Sequence, residues 1–204
     1  MALLYKIQFI SHKRHWCSII LVDPHGDLAE RIFAFRLNAL KSERLIYIDP
    51  QWEKDRIPCI NPFRKKVIDP NMIDLLSQQR SKTFAELIPE TGISLQMETL
   101  LKPCLAVLFA TGECGLSDLQ DFMNDETNEK RIELGKQSNH TVYRNFFANA
   151  FQNKRYSATK LAVYTRLQHL QNNYAFYQMM NGESHFDLKK EMQLGKIILF
   201  NLSK

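Results

Sequence analysis

Residues 17–28 read Cys17-Ser-Ile-Ile-Leu-Val-Asp-Pro-His-Gly-Asp-Leu28, an almost unbroken apolar run that ends in a polar turn. A short run rich in β-branched residues is typical of a strand buried on both faces of a parallel sheet. Asp23-Pro24 ends the strand, because proline has no N–H to donate to the sheet ladder. Asp27 can serve as a helix N-cap, because aspartate is favoured at that position, and this predicts a helix from Leu28 to about Leu40.

Two further apolar runs predict strands. Arg44-Leu-Ile-Tyr-Ile48 also ends in Asp-Pro, and strand, helix and strand in this order form a βαβ unit with parallel strands and a right-handed crossover. Lys196-Ile-Ile-Leu-Phe-Asn-Leu202 is the last apolar run. Since an isolated strand has to pair with a sheet, we expect it to join the two N-terminal strands.

The residues between these strands have helical periodicity. The predicted helices run from Met72 to Ile88, Leu95 to Phe109, a short one capped by Ser117, one or two within Glu126 to Phe151, and a long one from Ser157 to Met180 with Leu161, Leu167 and Tyr174 on one face. Asp187 is placed near the cap of a last short helix. The predicted domains are therefore a partial α/β core with the end of an N-terminal helix (1–69), an inserted helical subdomain (70–192) and a returning strand (193–204).

Composition and charge narrow the class of protein. The 204 residues are 45% hydrophobic and carry a net charge of +5, as in a globular protein. No apolar run reaches the roughly 18 residues that a membrane-spanning helix needs, and the four cysteines have neither CxxC nor zinc spacing. We therefore expect no membrane segment, no metal site, free thiols and a cytoplasmic location.

A long basic segment runs through the second half of the chain. No Asp or Glu occurs from Leu134 to Gly182. Such a segment either attracts an anionic partner such as DNA or is an unevenly charged solvated surface. On the first interpretation the candidate nucleic-acid-binding residues form one phosphate-facing patch, made of Lys154, Arg155, Lys160 and Arg166.

A candidate ligand site follows the first strand. Asp23, His25, Gly26 and Asp27 come at its carboxyl end, where ligands bind in open parallel sheets. Binuclear metallophosphatases have a similar opening motif. They also need later Gly-Asp-x-x-Asp and Gly-Asn-His motifs, and neither occurs in this sequence. From the residues alone, Asp27 is also a plain helix cap and His25 a turn residue.

The chain resembles the DNA-pumping ATPases of the HerA/FtsK superfamily, in particular the conjugative type IV coupling proteins. Segments from nearly the whole chain carry the resemblance: Leu21–Arg31, Leu45–Pro50, Cys59–Phe63, Leu100–Phe109, Leu116–Leu119, Lys160–Gln168, Phe186–Leu188 and Gly195–Lys204. The resemblance implies an α/β fold with an incomplete RecA-like parallel sheet and a large inserted all-α subdomain. It also implies DNA translocation in conjugation or type IV secretion by a ring-forming homo-oligomer, with secretion-machinery proteins as further partners at the inner face of a membrane.

The resemblance further implies ATP and magnesium as cofactors of the intact protein, with Asp23, His25, Gly26 and Asp27 next to the nucleotide. The sequence departs from the family, because it has no GxxxxGK[ST] motif to cradle phosphates. By the family's order, the P-loop precedes Met1 and the Walker B strand follows Lys204. We therefore expect no catalytic residue, no bound cofactor and no ATP hydrolysis for this chain alone. The alternative is a non-enzymatic nucleic-acid- or protein-binding module on a remnant α/β scaffold.

Overall fold

A computed structural model describes residues 18–39, 42–52, 57–61, 63, 66–86, 94–112, 114–182 and 187–203. The expected helix end before residue 11 lies outside these ranges. The chain divides into two compact units, one formed by residues 1–59 with 184–204 and the other by residues 60–183.

In chain order the described elements are β1 (Ile19–Asp23), α1 (Asp27–Ala39), a 3₁₀ turn (Ser42–Arg44), β2 (Leu45–Ile48), α2 (Pro70–Glu86), α3 (Ser94–Thr111), α4 (Leu116–Phe122), α5 (Glu129–Lys136), α6 (Thr141–Asn149), a second 3₁₀ turn (Lys154–Tyr156), α7 (Ser157–Gln171), α8 (Tyr174–Asn181), α9 (Leu188–Gln193) and β3 (Ile197–Asn201). The chain is therefore a mixed α/β protein. Among the described residues no helix has the length and apolar character needed to cross a membrane.

The first unit contains a three-stranded parallel sheet in the order β1-β3-β2. Ile197 of β3 pairs with Ile19 on one side and with Leu45 on the other. The last strand thus joins the two N-terminal strands, as expected, and takes the central position. It separates β1 from β2, so the two strands of the predicted βαβ unit are not neighbours.

Helix α1 covers one face of this sheet. Ala29 and Ile32 of α1 pack on Ile197 and Leu199 of β3 in a small buried core. On the opposite face of β1, Ile20 is 40% exposed and Val22 is 55% exposed. The prediction that β1 is buried on both faces is therefore wrong, because β1 is an edge strand of the described sheet and its outward side chains remain accessible.

The second unit is built around α3. Leu100, Leu101, Leu105 and Leu108 of this helix are buried in one large core. Helix α3 has apolar side chains in nearly every turn and on most of its faces. It therefore packs against four other helices, which are α2, α4, α5 and α7. All of the elements described between residues 70 and 182 are helical, as predicted.

Two local predictions in this unit are wrong. The segment from Ser157 to Met180 forms two helices, because Asn173 ends the run and caps α8 through a hydrogen bond from the amide of Phe176 to its Oδ1 (3.0 Å). Its buried face carries Val163 and Leu167, whereas Leu161 and Tyr174 are exposed.

The start of α4 also differs from the prediction. Gly115, not Ser117, is the N-cap, and its amide donates to Oδ2 of Asp118 at 2.7 Å. The Ser117 hydroxyl instead donates to Oε1 of Gln171 (2.8 Å). Asp187, in contrast, caps α9 as predicted. Cys104 is a free thiol, in agreement with the sequence, and Cys17 lies outside the described residues.

Candidate functional site

The carboxyl ends of all three strands lie at one edge of the sheet, because the strands are parallel. Asp23 is opposite Asn201 at this edge, and Ile48 is opposite Phe200. The structure therefore brings the motif after β1 together with the polar residues that follow β2 and β3. We refer to residues 23–27, 49–51 and 201–203 as the carboxyl edge.

Asp23 is the residue that caps α1. Its Oδ2 accepts hydrogen bonds from the amides of Leu28 and Ala29, both at 2.9 Å, and its Oδ1 accepts one from the amide of His25 at 3.1 Å. The hydrogen bond from Ala29 is the main cause that lowers the pKa of Asp23 below its ordinary value, since it stabilises the carboxylate. Asp27, the predicted cap, lies exposed in the first turn of the helix. The predicted cap, Asp27, is therefore wrong, because the residue that caps α1 is Asp23, earlier in the chain.

Two features of the structure favour glycine at position 26. Its φ angle is +85°, in the left-handed region that side chains disfavour. A Cβ atom built on it would lie 2.6 Å from Oδ1 of Asn201 and 2.8 Å from Cβ of Ser203. The backbone after β1 thus approaches the end of β3 more closely than any side chain would permit.

Asn201, which the predictions from sequence do not include, connects the end of β3 to the end of β2. Its Nδ2 donates to the Tyr47 hydroxyl oxygen (2.8 Å) and to Oδ2 of Asp49 (3.3 Å). Its Oδ1 accepts from the amide and the hydroxyl of Ser203, at 3.1 and 2.7 Å. One signal was available in the sequence, since an asparagine ends an otherwise apolar strand at the edge where parallel sheets place their ligands.

Aromatic rings lie beside the carboxyl edge, and the predictions from sequence do not include them. The rings of Phe33 and Tyr47 are stacked with centroids 4.4 Å apart, and Trp52 meets Tyr47 edge to face at 5.6 Å. Burial raises the pKa of Tyr47 above its ordinary value. Trp52 is exposed, so its ring offers an accessible apolar surface next to Asp49.

The carboxyl edge does not by itself fit magnesium and ATP. The Asp23 carboxylate is committed to three backbone amides, and Asp49 accepts from the amide of Gln51 at 2.8 Å. In the part of the chain that the structure describes, no group of three or more His, Cys, Asp and Glu side chains is arranged to hold a metal ion. His25 and Asp27 are exposed and are the side chains of the motif that remain accessible to another molecule.

The basic candidates fall into two groups. Lys154 and Arg155 are exposed in the second 3₁₀ turn, which Asn153 caps by accepting a hydrogen bond from the Arg155 amide (3.0 Å). The Arg155 guanidinium lies 4.8 Å from the centroid of the Tyr156 ring. These two neighbouring cations are accessible and partly oriented, as a phosphate-binding patch requires.

Lys160 does not belong to such a patch, contrary to the prediction. It is 3% exposed, its Nζ lies 2.5 Å from Oδ1 of Asp125, and the ammonium sits 4.0 Å from the centroid of the Phe151 ring. The reason is its position on the buried face of α7, three residues before Val163. Arg166 is half-buried, and its Nε has no hydrogen-bond partner within the described ranges. The accessible pair is therefore Lys154 and Arg155.

The chain matches no protein-family model, no curated protein and no solved structure.

Proposed function

We propose that this chain is a segment of a DNA-translocating motor ATPase of the conjugative transfer or type IV secretion type. In this proposal the three-stranded sheet is part of a RecA-like core, and residues 60–183 are the inserted all-α subdomain. The observation that supports it best is the carboxyl edge, where a glycine with φ +85° and Asn201 close a tight loop at the ligand-binding side of a parallel sheet. The family resemblance of the sequence motifs supports the same proposal.

The proposed DNA contact is the pair Lys154 and Arg155. Both are exposed, and no described carboxylate forms a salt bridge with them. The acid-free segment from Leu134 to Gly182 surrounds them in sequence. Contacts of this kind neutralise backbone phosphates and therefore bind DNA irrespective of its sequence.

The proposed nucleotide role belongs to the intact motor and not to this chain alone. A phosphate cradle needs the backbone amides and lysine of a P-loop, and the 204 residues contain no GxxxxGK[ST] motif. In this proposal the cradle, the Walker B carboxylates, magnesium and ATP come together in a ring of subunits. The exposed His25 and Asp27 then face the nucleotide or a neighbouring subunit. The isolated chain should show no ATP turnover.

A fluorescence-anisotropy titration tests the proposal. Labelled single- and double-stranded oligonucleotides of two unrelated sequences are titrated with the chain at low salt. We expect binding that is equal for the unrelated sequences and is weakened about tenfold or more by the double reversal Lys154→Glu/Arg155→Glu, since each phosphate contact carries a large electrostatic contribution.

The matched control is Lys189→Glu/Lys190→Glu, which makes the same change in net charge at two exposed lysines of α9. It should weaken binding much less. Absence of binding at low salt, or equal losses in both double variants, would contradict the proposed DNA contact.

A non-enzymatic binding module is the second candidate. The observation in its favour is that both oxygens of the Asp23 carboxylate accept hydrogen bonds from backbone amides of the loop and of α1, which gives this carboxylate a structural role in holding the two together. The genomic sequence on either side discriminates the two. A GxxxxGK[ST] motif upstream and an apolar run ending in Asp-Glu downstream support the motor, and their absence supports the module.

A further inference from the structure

A cavity of about 480 Å³ lies within the helical unit, and the DNA-binding proposal makes no use of it. Its volume falls in the range of roughly 300–1,000 Å³ that is typical of small-molecule sites. Ala106 and Ala110, four residues apart on α3, line it. Because i and i+4 side chains share one face of a helix, these two small residues leave open the space that larger side chains would fill.

The rest of the lining is partly apolar and partly polar. Ile73 of α2 and Tyr143 of α6 line the cavity together with the alanines. Gln137, Ser138 and Asn139, from the turn between α5 and α6, add uncharged hydrogen-bonding groups. A ligand that fits this lining has an apolar body and one polar end.

The acidic group in the lining is already neutralised. Oδ1 of Asp74 is 2.9 Å from Nζ of Lys102 and accepts a hydrogen bond from the Tyr143 hydroxyl, also at 2.9 Å. The Lys102 contact, followed by that of Tyr143, lowers the pKa of Asp74, so the carboxylate stays ionised and paired. Asp74 is therefore a fixed part of the wall and does not attract a cationic ligand.

Lys66 and His140 supply the other charged or titratable groups of the lining. The imidazole of His140 is stacked on the Tyr143 ring with centroids 4.2 Å apart. Lys66 is exposed, and no salt bridge to it is found among the described residues. The cavity thus has one uncompensated lysine at its rim, which favours an anionic group over a cationic one.

The backbone holds Lys66 in place. The amide of Val67 donates to the carbonyl of Phe109 at 2.8 Å, which ties the segment to the end of α3. Gly112, with φ +69°, allows the Lys66 backbone to approach so closely that a Cβ at residue 112 would lie 2.8 Å from its amide nitrogen. Next to it, Ile68 also lines the cavity and is 83% exposed, so a bound apolar chain would cover it.

We propose that this cavity binds a medium-chain carboxylate, with the apolar chain against Ala106, Ala110 and Ile73 and the carboxylate at Lys66. A single lysine together with neutral donors matches one negative charge, and the apolar part of the lining matches a hydrocarbon chain. The site is independent of the proposed DNA contact, since it shares no residue with it.

The test is a titration of the ¹⁵N-labelled chain with sodium octanoate, followed by amide chemical shifts, with octylamine hydrochloride as the cationic probe of equal chain length. We expect saturable shifts at residues 66–68, 106–111 and 137–143 with octanoate. Lys66→Glu, a substitution at an exposed residue, should weaken octanoate binding about two- to fivefold, an effect typical of losing one exposed ion pair, and should not weaken octylamine binding.

A second variant tests the cavity itself. Ala110→Phe places a ring in the space, on a residue that is exposed and so tolerant of substitution, and should abolish the octanoate shifts while the rest of the spectrum keeps its dispersion. Shifts that do not saturate, octylamine binding as tight as octanoate to the wild type, or an unchanged octanoate affinity in Lys66→Glu would overturn the proposal.

Discussion

A Cβ atom at Gly26 would lie 2.6 Å from Oδ1 of Asn201, although the two residues stand near opposite ends of the chain. This approach joins the loop after β1 to the end of β3 and depends on the missing side chain. Gly26→Ala should lower the free energy of unfolding by about 1–2 kcal/mol for the left-handed backbone alone, and by more if Asn201 has to move. Urea denaturation measures the change. His25→Ala, at the exposed neighbour, is the control and should be close to wild type.

Asp23 should dominate the stability of the loop and of α1. Asp23→Ala removes acceptors for three amides and should lower the thermal midpoint by several degrees, whereas Asp27→Ala should have a small effect. Thermal unfolding followed by circular dichroism distinguishes them. Equal losses in the two variants would mean that Asp23 is not the effective cap.

The contribution of Asp23 should depend on pH. Its pKa is lower in the folded state than its ordinary value, so its stabilising effect is present above about 3.9 and is lost as the pH falls through the folded-state pKa. The difference in midpoint between wild type and Asp23→Ala should therefore be constant near neutral pH and should shrink below the ordinary carboxyl value. A difference that grows on acidification would contradict this linkage.

Lys160 should matter for stability and not for DNA binding. Lys160→Ala removes a buried side chain, its ion pair with Asp125 and its contact with Phe151, so we expect a loss of about 1–3 kcal/mol. Lys160→Met keeps most of the buried aliphatic chain and should lose less. Both variants should bind DNA as the wild type does. Lys154→Ala is the surface control, with unfolding unchanged.

The sequence predicts helices and strands well where the hydrophobic pattern determines them. The apolar runs ending at Val22, Ile48 and Leu202 correspond to the three strands, and their pairing in one parallel sheet follows from the need of the last strand for a partner. The partners of polar side chains are harder to predict. Asp27 and Ser117 look like caps in sequence, but the caps are Asp23 and Gly115, because capping depends on where the backbone turns.

Burial of polar residues is the other feature that the local sequence does not predict. Lys160 is basic and lies in a basic segment, so its sequence context favours an exposed position. Asp125, 35 residues away, supplies the charge that makes its burial possible. Asn201 likewise depends on Tyr47, whose hydroxyl oxygen accepts a hydrogen bond from its Nδ2 although 154 positions separate the two residues. Contacts between distant residues of this kind require the fold.

The salt dependence of DNA affinity tests the central claim most directly. For wild type and for Lys154→Ala/Arg155→Ala, the Kd for one duplex is measured at several salt concentrations. Each phosphate neutralised contributes about 0.9 to the slope of log affinity against log salt, so loss of two contacts should reduce the slope by about 1.8. Equal slopes for the two proteins, or a wild-type affinity that does not change with salt, would contradict the assignment of Lys154 and Arg155 as DNA contacts.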